Sequence, residues 1–350
     1  MKCFVHIGTE KTATTTIQKF FHLNKEIMLN NGYIYTQSTG SPNNRGLSVA
    51  AYNLSRRDDF TRQHKLDSDQ ELLLFQNKMI LKLKKEINLI MKDFPDSGTI
   101  IFSSEHFQSR LTDINEIIKL KKILNEFNID DIKIILYLRR PADIANSLYS
   151  TAIRSGSTIE APHYPNNPYW NNVCNHRRTI ERFSTVFGDK NIIPRIFDKK
   201  EFVNGSIIDD ILSIIDMPNR DYIYPKNANE SLSALGVEIL RRLNNIVPMW
   251  IKNKPNKNRA NLVSYIQRHF SDSKYIMPEK LYEAYDLEFE ASNEWVRNKY
   301  FPNRKTLFGN KLNKQSDITI NDSDLDKIAN LIANIWNDKQ EMINKLEEKN

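Results

Sequence analysis

The chain has 350 residues, 40% hydrophobic and 27% charged, with a formal charge of +7. That length suffices for one large core, or for one domain carrying an elaboration. Its apolar runs fall far short of the roughly 20 residues of a membrane span, no signal-peptide pattern opens it, and no basic stripe interleaved with aromatics, zinc spacing or RNP-type motif speaks for nucleic acid.

Met1–Ile7 (MKCFVHI) is an apolar run with the length and β-branching of a buried parallel strand. Gly8 breaks it, and GTEKTATTT leads into a helical pattern carried by Ile17, Phe20, Phe21 and Leu23. A strand, a glycine turn with Lys11, then Thr12, Thr14, Thr15 and Thr16 opening a helix forms an anion cradle. Free N–H groups at a helix start point toward the ligand, the macrodipole favours negative charge, and lysine adds a full positive one. The nucleoside-triphosphate loop G-x-x-x-x-G-K-[ST] is not met, because Glu10 stands directly before Lys11. The bland alternative is a threonine-rich helix start that binds nothing.

Gly32–Tyr35 reads as a second strand. Residues 36–66 show no regular periodicity; so long a connection is either an overhang contributing to ligand recognition or a solvated insertion with a short helix. Asp69–Lys92 is an amphipathic helix with Leu72, Phe75, Met79, Leu83, Ile87 and Ile90 on one face. A turn at Asp96–Gly98 precedes the strand Thr99–Ser103, which ends in Ser104, Glu105 and His106. Ligands of a parallel α/β sheet bind outside the carboxyl ends of its strands, so the titratable pair Glu105 and His106 at that end holds the candidate base. Ile114–Phe127 is a connecting helix. The strand Ile132–Leu138 then runs directly into Arg139, Arg140 and Pro141, and a helix follows from Pro141 with Gly156 as its stop. Arg139 and Ser147, at strand end and two turns into that helix, are spaced to converge on one phosphate.

Two stretches carry a family resemblance. HIGTEKTATTTIQKFF resembles the 5′-phosphosulfate loop of sulfotransferases that use 3′-phosphoadenosine 5′-phosphosulfate (PAPS), where K-[ST]-G-T-[ST] follows the first strand; Ala13 replaces the usual glycine. YLRRPADIANSLYS resembles the family's 3′-phosphate motif, with Arg139 and Ser147 at the matching spacing. The resemblance covers mainly Met1–Phe197; NEWVRNKYFPNRKTLF (Asn293–Phe308) is also similar to tail segments of bacterial members. It implies in-line transfer of a sulfuryl group, with Gly8, Lys11, Thr12, Ala13, Thr14, Thr15, Thr16, Arg139 and Ser147 holding the cofactor. Lys11 would stabilise the leaving phosphate, and Glu105, or else His106, would act as base.

In the remaining chain, Thr158–Trp170 carries Tyr164, Tyr169 and Trp170, a pattern suited to sugar rings or to a loop folded on itself. Asn172–Phe187 reads as a helix, Asn191–Phe197 as an edge strand because Pro194 cannot donate a ladder bond, and Ser206–Ile215 as a helix. Beyond Pro225 no buried strand is expected. A helix from Leu235, a solvated basic run at residues 252–259, and a final helix over Ser323–Leu346 with Leu325, Ile328, Ile332, Ile335, Met342 and Leu346 facing the body complete the chain.

The expectation is a three-layer, P-loop-like α/β fold with a central parallel sheet over residues 1–225, and a mostly helical elaboration over 226–350 packed on it. The expected activity is sulfuryl transfer from PAPS, leaving 3′-phosphoadenosine 5′-phosphate (PAP), to a hydroxyl or amine of a carbohydrate-containing acceptor. No metal, nucleic acid or membrane partner is expected, and the two cysteines without metal spacing fit a cytoplasmic location. The alternatives are a nucleotide-dependent kinase or a non-catalytic nucleotide- or glycan-binding module.

Overall fold

The computed structural model describes residues 1–95, 98–129, 131–218, 220–225, 231–252, 254–309 and 320–348. The expected turn at Asp96–Ser97 and the start of the segment from Asn227 lie outside them. In chain order the elements are β1 (Lys2–His6), α1 (Thr14–Leu23), α2 (Lys25–Leu29), β2 (Tyr33–Tyr35), α3 (Arg45–Ala50), α4 (Asp59–Gln63), α5 (Asp69–Asp93), β3 (Thr99–Ser103), α6 (His106–Arg110), α7 (Ile114–Asn125), β4 (Asp131–Leu138), α8 (Pro141–Arg154), α9 (Pro168–Val173), α10 (His176–Phe187), β5 (Ile192–Ile196) and α11 (Ile207–Ile215). There follow α12 (Ala234–Ile246), the two-residue strands β6 (Trp250–Ile251) and β7 (Lys254–Pro255), α13 (Leu262–His269), α14 (Glu279–Tyr300) and α15 (Asp322–Glu347). Among the described residues no helix is long and apolar enough to cross a membrane.

The apolar runs form one five-stranded sheet in the order β2-β3-β1-β4-β5, with every neighbouring pair parallel. Alternate side chains leave opposite faces. Val5, Phe102, Ile134 and Leu136 join Leu47, Leu83, Leu120 and Phe183 in one core. Phe4, Ile101, Ile135 and Tyr137 join Ile17, Phe20, Phe21 and Ile211 in the other. Helices therefore cover both faces, which gives the three layers. Pro194 stands on the edge strand β5, opposite Leu136, where its missing N–H costs no ladder bond.

The strand order reverses at β1: the chain goes out through β2 and back to β3 on one side, then crosses to β4 on the other. The crevice at the carboxyl end of β1 is thus the topological switch point, the usual place for a ligand in such a sheet.

The stretch 36–66 departs from a solvated insertion. Leu47, Val49, Ala50, Ala51 and Tyr52 are wholly buried. The Asn44 side chain accepts from the Ser103 N–H at 2.7 Å and donates to Thr39 Oγ1 at 2.8 Å, while Arg56 grips the buried Glu116 carboxylate through two nitrogens. Two short helices, α3 and α4, lie in this stretch, and side-chain bonds invisible to a periodicity test hold the rest of it.

The chain divides into two units, and the division is not the single cut near residue 225. One comprises residues 1–141, 166–226 and 288–309; the other comprises 142–165, 227–287 and 310–350. The reason lies in α8, whose Tyr149 and Ile153 join a core made by Leu232, Val237, Leu240, Ile266, Phe270 and Leu331. In the second unit the only strand pair among the described residues is the exposed β6–β7. Arg259 of the expected solvated run is buried, donating to Val247 O at 2.7 Å and Asn244 Oδ1 at 2.6 Å. The final helix meets expectation in part: Ile328 and Ile335 pack inward beside the buried Leu331, whereas Leu325, Ile332, Met342 and Leu346 are exposed.

Candidate active site

Gly8 ends β1 with φ of +101°, and a Cβ there would sit 3.1 Å from the Glu105 Cα. Both the torsion and the close approach require glycine. The β1–β4 ladder continues past the strand: Tyr137 N–H donates to Gly8 O at 2.7 Å, and Thr9 N–H and Oγ1 both donate to Tyr137 O. Thr12 Oγ1 donates to Thr9 O at 2.6 Å. Lys11 (φ +66°) and Ala13 (φ +59°) both lie in the left-handed region, so the loop turns sharply at alternate residues. Interleaved left-handed residues of this kind bring successive N–H groups to one side, an arrangement suited to anions. The loop delivers its chain to α1, whose N-terminus no side chain caps and whose first turn holds no acidic residue. Of the loop threonines, Thr12 and Thr14 are buried, Thr16 is half-buried with its N–H on Ala13 O, and Thr15 is exposed.

Arg139 closes β4, and its guanidinium donates to the Lys11 carbonyl at 2.6 Å and lies 5.6 Å from the Phe197 ring. His176 on α10 donates from Nε2 to the Arg139 carbonyl at 2.8 Å. Arg139 and Lys11 are thereby brought together. Ser147 falls in the second unit, where its carbonyl accepts from Thr151 Oγ1 at 3.1 Å. The aromatic cluster of the 158–170 stretch is divided as well: Tyr164 belongs to the second unit, Trp170 is buried, and Tyr169 OH reaches Glu10 at 3.4 Å.

Glu105 immediately precedes α6 and leans on Gly8. Gln18, buried on α1, donates to Glu105 Oε2 at 2.8 Å. Burial alone would raise the Glu105 carboxyl; the neighbouring His106 ring, a backbone N–H, Gln18 and His6 outweigh it and hold the carboxyl below its usual range. The group is therefore ionised near neutrality and able to accept a proton. His106 is pushed down by burial, with Arg45 and Arg110 adding to that effect against Glu105 and Glu10. Its Nδ1 is buried without a partner among the described residues. Around it Arg45 contacts Asp59 at 2.7 Å and Asp58 at 3.4 Å, and Arg110 faces Glu10 at 3.6 Å and Asp58 at 3.9 Å. This chain of alternating charges ties the 36–66 stretch to the loop.

Periodicity gives no hint of Arg45, Arg110, His6 or His176. The polar Gln18 on the otherwise apolar face of α1 is the one readable signal. Among the described residues no group of three His, Cys, Asp or Glu side chains is placed to hold a metal. A hollow of about 550 Å³ lined by Met1, Lys84, Ile87 and Phe127 lies at the opposite end of β1, away from these groups.

No family model matches the sequence. An uncharacterized protein of Archaeoglobus fulgidus is 32% identical over 212 residues, 58% of this chain and 54% of that one, so the chain spans about half the length of this relative. Among solved structures, a sulfotransferase from Alicyclobacillus acidocaldarius is similar with a TM-score of 0.40 and 12% identity, over 71% of this chain and 93% of that one. A likeness this loose assigns no residue a role.

Two outcomes follow. Ala13→Gly should stabilise the protein by about 1 kcal/mol, because an alanine held at positive φ carries the left-handed penalty; a urea midpoint that fell would contradict the strain. His6 and His176, both wholly buried, are lowered by desolvation to about 4. Below about pH 6.5 the unfolded chain binds protons that the native chain refuses, so stability should be full above that pH and fall as pH drops toward 4, by roughly 3 kcal/mol per histidine. Urea unfolding across the range from neutral to mildly acidic pH measures this, and His176→Gln should show a shallower decline than the wild type.

Proposed function

We propose that this chain is a PAPS-dependent sulfotransferase acting on a hydroxyl of a carbohydrate-containing acceptor. The observation that carries the reading is the loop Gly8–Ala13: a short cradle with left-handed Lys11 and Ala13, opening an uncapped and acid-free helix start at the switch point of the sheet. That donor set fits a phosphate or phosphosulfate. The sequence resemblance selects PAPS over a nucleoside triphosphate, because the Gly-Lys pair of the triphosphate loop is missing and Arg139 and Ser147 match the 3′-phosphate motif.

In this reading the N–H groups from Thr12 to Thr15 and the Lys11 ammonium bind the 5′ end, and PAPS supplies the sulfuryl group to be transferred. Lys11 meets the negative charge that develops on the leaving oxygen, a contribution that counts in the transition state. Arg139 serves the 3′-phosphate, and Ser147 keeps the partnering role that the resemblance gives it on sequence spacing alone. Glu105, held by Gln18, takes the proton from the acceptor hydroxyl. His106 stays neutral beside it and is the alternative base.

The test uses labelled PAPS and a panel of glycan acceptors. Lys11→Ala should lose about 10²–10³ in turnover and Glu105→Gln about 10²–10⁴, both with PAP affinity within a few-fold of wild type. Unchanged turnover in Lys11→Ala would overturn the assignment; a larger loss in His106→Ala than in Glu105→Gln would move the base by one residue.

A further inference from the structure

The final helix carries an apolar surface that the described residues of its unit leave uncovered. Its inner side is fixed against α13 and the residues after it: Leu331 is buried, Tyr265 OH donates to Asp338, Asn334 meets His269 at 2.9 Å, and Lys327 contacts Asp272 at 2.6 Å. At about 100° per residue, Leu325, Ile332, Trp336 and Ile343 fall on one line some 120° round from Leu331. They are 56%, 61%, 69% and 46% exposed. The same line takes in Ala329 and Lys339 and runs on to Leu346, in the alternating four- and three-residue steps of a coiled-coil seam.

From Leu325 to Ile343 the seam repeats its apolar positions from both ends, with Ala329 matched to Lys339, while Leu346 falls opposite Asp322. About Asn334, Leu325 falls opposite Ile343, Ala329 opposite Lys339 and Ile332 opposite Trp336. Such a pattern is self-complementary under a two-fold axis, the geometry of an isologous interface. Charge selects the direction. A parallel pair would set Lys339 against its own copy, whereas an antiparallel pair sets it over Ala329, one turn from Asp326. A lipid surface fits less well, because acids outnumber lysines along the helix and anionic headgroups would repel it.

We propose that a second copy of this chain covers the Leu325–Ile332–Trp336–Ile343 stripe, through antiparallel pairing of the two α15 helices. Sedimentation velocity of the full chain should show a dimer at micromolar concentration. Ile332→Asp should raise the dissociation constant at least about a hundredfold, since an isologous contact loses the side chain twice, with the circular dichroism spectrum retained. Leu325→Cys/Ile343→Cys tests the direction: these positions lie about 27 Å apart on one helix, so a 325–343 disulfide must join two chains, and the native Cys3 and Cys174 are buried. Oxidation should give that cross-link by peptide mapping. A monomeric wild type, cross-links of 325 to 325, a dimer unaffected by Ile332→Asp, or a monomer that pellets with lipid vesicles would each overturn the proposal.

Discussion

The structure of the site depends on the close approach of Gly8 to Glu105. β1 lies between β3 and β4, so the chain leaving its end has neighbours on both sides, and a side chain at Gly8 would run into the Glu105 backbone. With glycine there, the ladder to β4 continues through Gly8 and Thr9, and the loop starts from a fixed point. Each later feature inherits that position: the left-handed turns at Lys11 and Ala13, the Thr12 bond to Thr9, and the open start of α1. Rigid placement matters because an anion site made of backbone N–H groups works only if those groups already point the right way.

Electrostatics around the crevice are arranged in opposition. The helix start and Lys11 favour negative charge, while Glu10 and Glu105 place carboxylates close by. The second is restrained by Gln18, and the first is faced by Arg110. Arg110 also approaches Asp58 and Asp59, which hold Arg45. Cations and carboxylates thus alternate from the 36–66 stretch to the loop, while Glu105 is kept ionised by the His106 ring, a backbone N–H, Gln18 and His6. Such a combination suits proton removal next to a phosphate-bearing group.

Much of this is legible in the residues. The five strands are apolar runs, three of which lead at once into Gly8, Glu105 and Arg139, and parallel topology alone sets those ends on one side. Pro194 marks the edge strand. The 36–66 stretch is not legible, because Asn44 and Arg56 hold it by side-chain bonds that leave no period. A single boundary near residue 225 fails because α8 begins at the end of β4 yet packs Tyr149 and Ile153 elsewhere. In α15 two apolar lines share one helix, and periodicity does not say which faces inward; the bonds of Asp338, Asn334 and Lys327 to α13 and the residues after it decide it.

The central claim, that the crevice is built for a nucleotide bearing both 5′- and 3′-phosphates, is tested most directly by calorimetric titration of PAP against adenosine 5′-phosphate. A charge-assisted contact from Arg139 is worth about 1.5–3 kcal/mol, so the wild type should prefer PAP by at least about tenfold, and Arg139→Ala, which also loses the bond to the Lys11 carbonyl, should erase most of that preference by weakening PAP much more than adenosine 5′-phosphate. Equal affinity for the two nucleotides in the wild type would contradict the account.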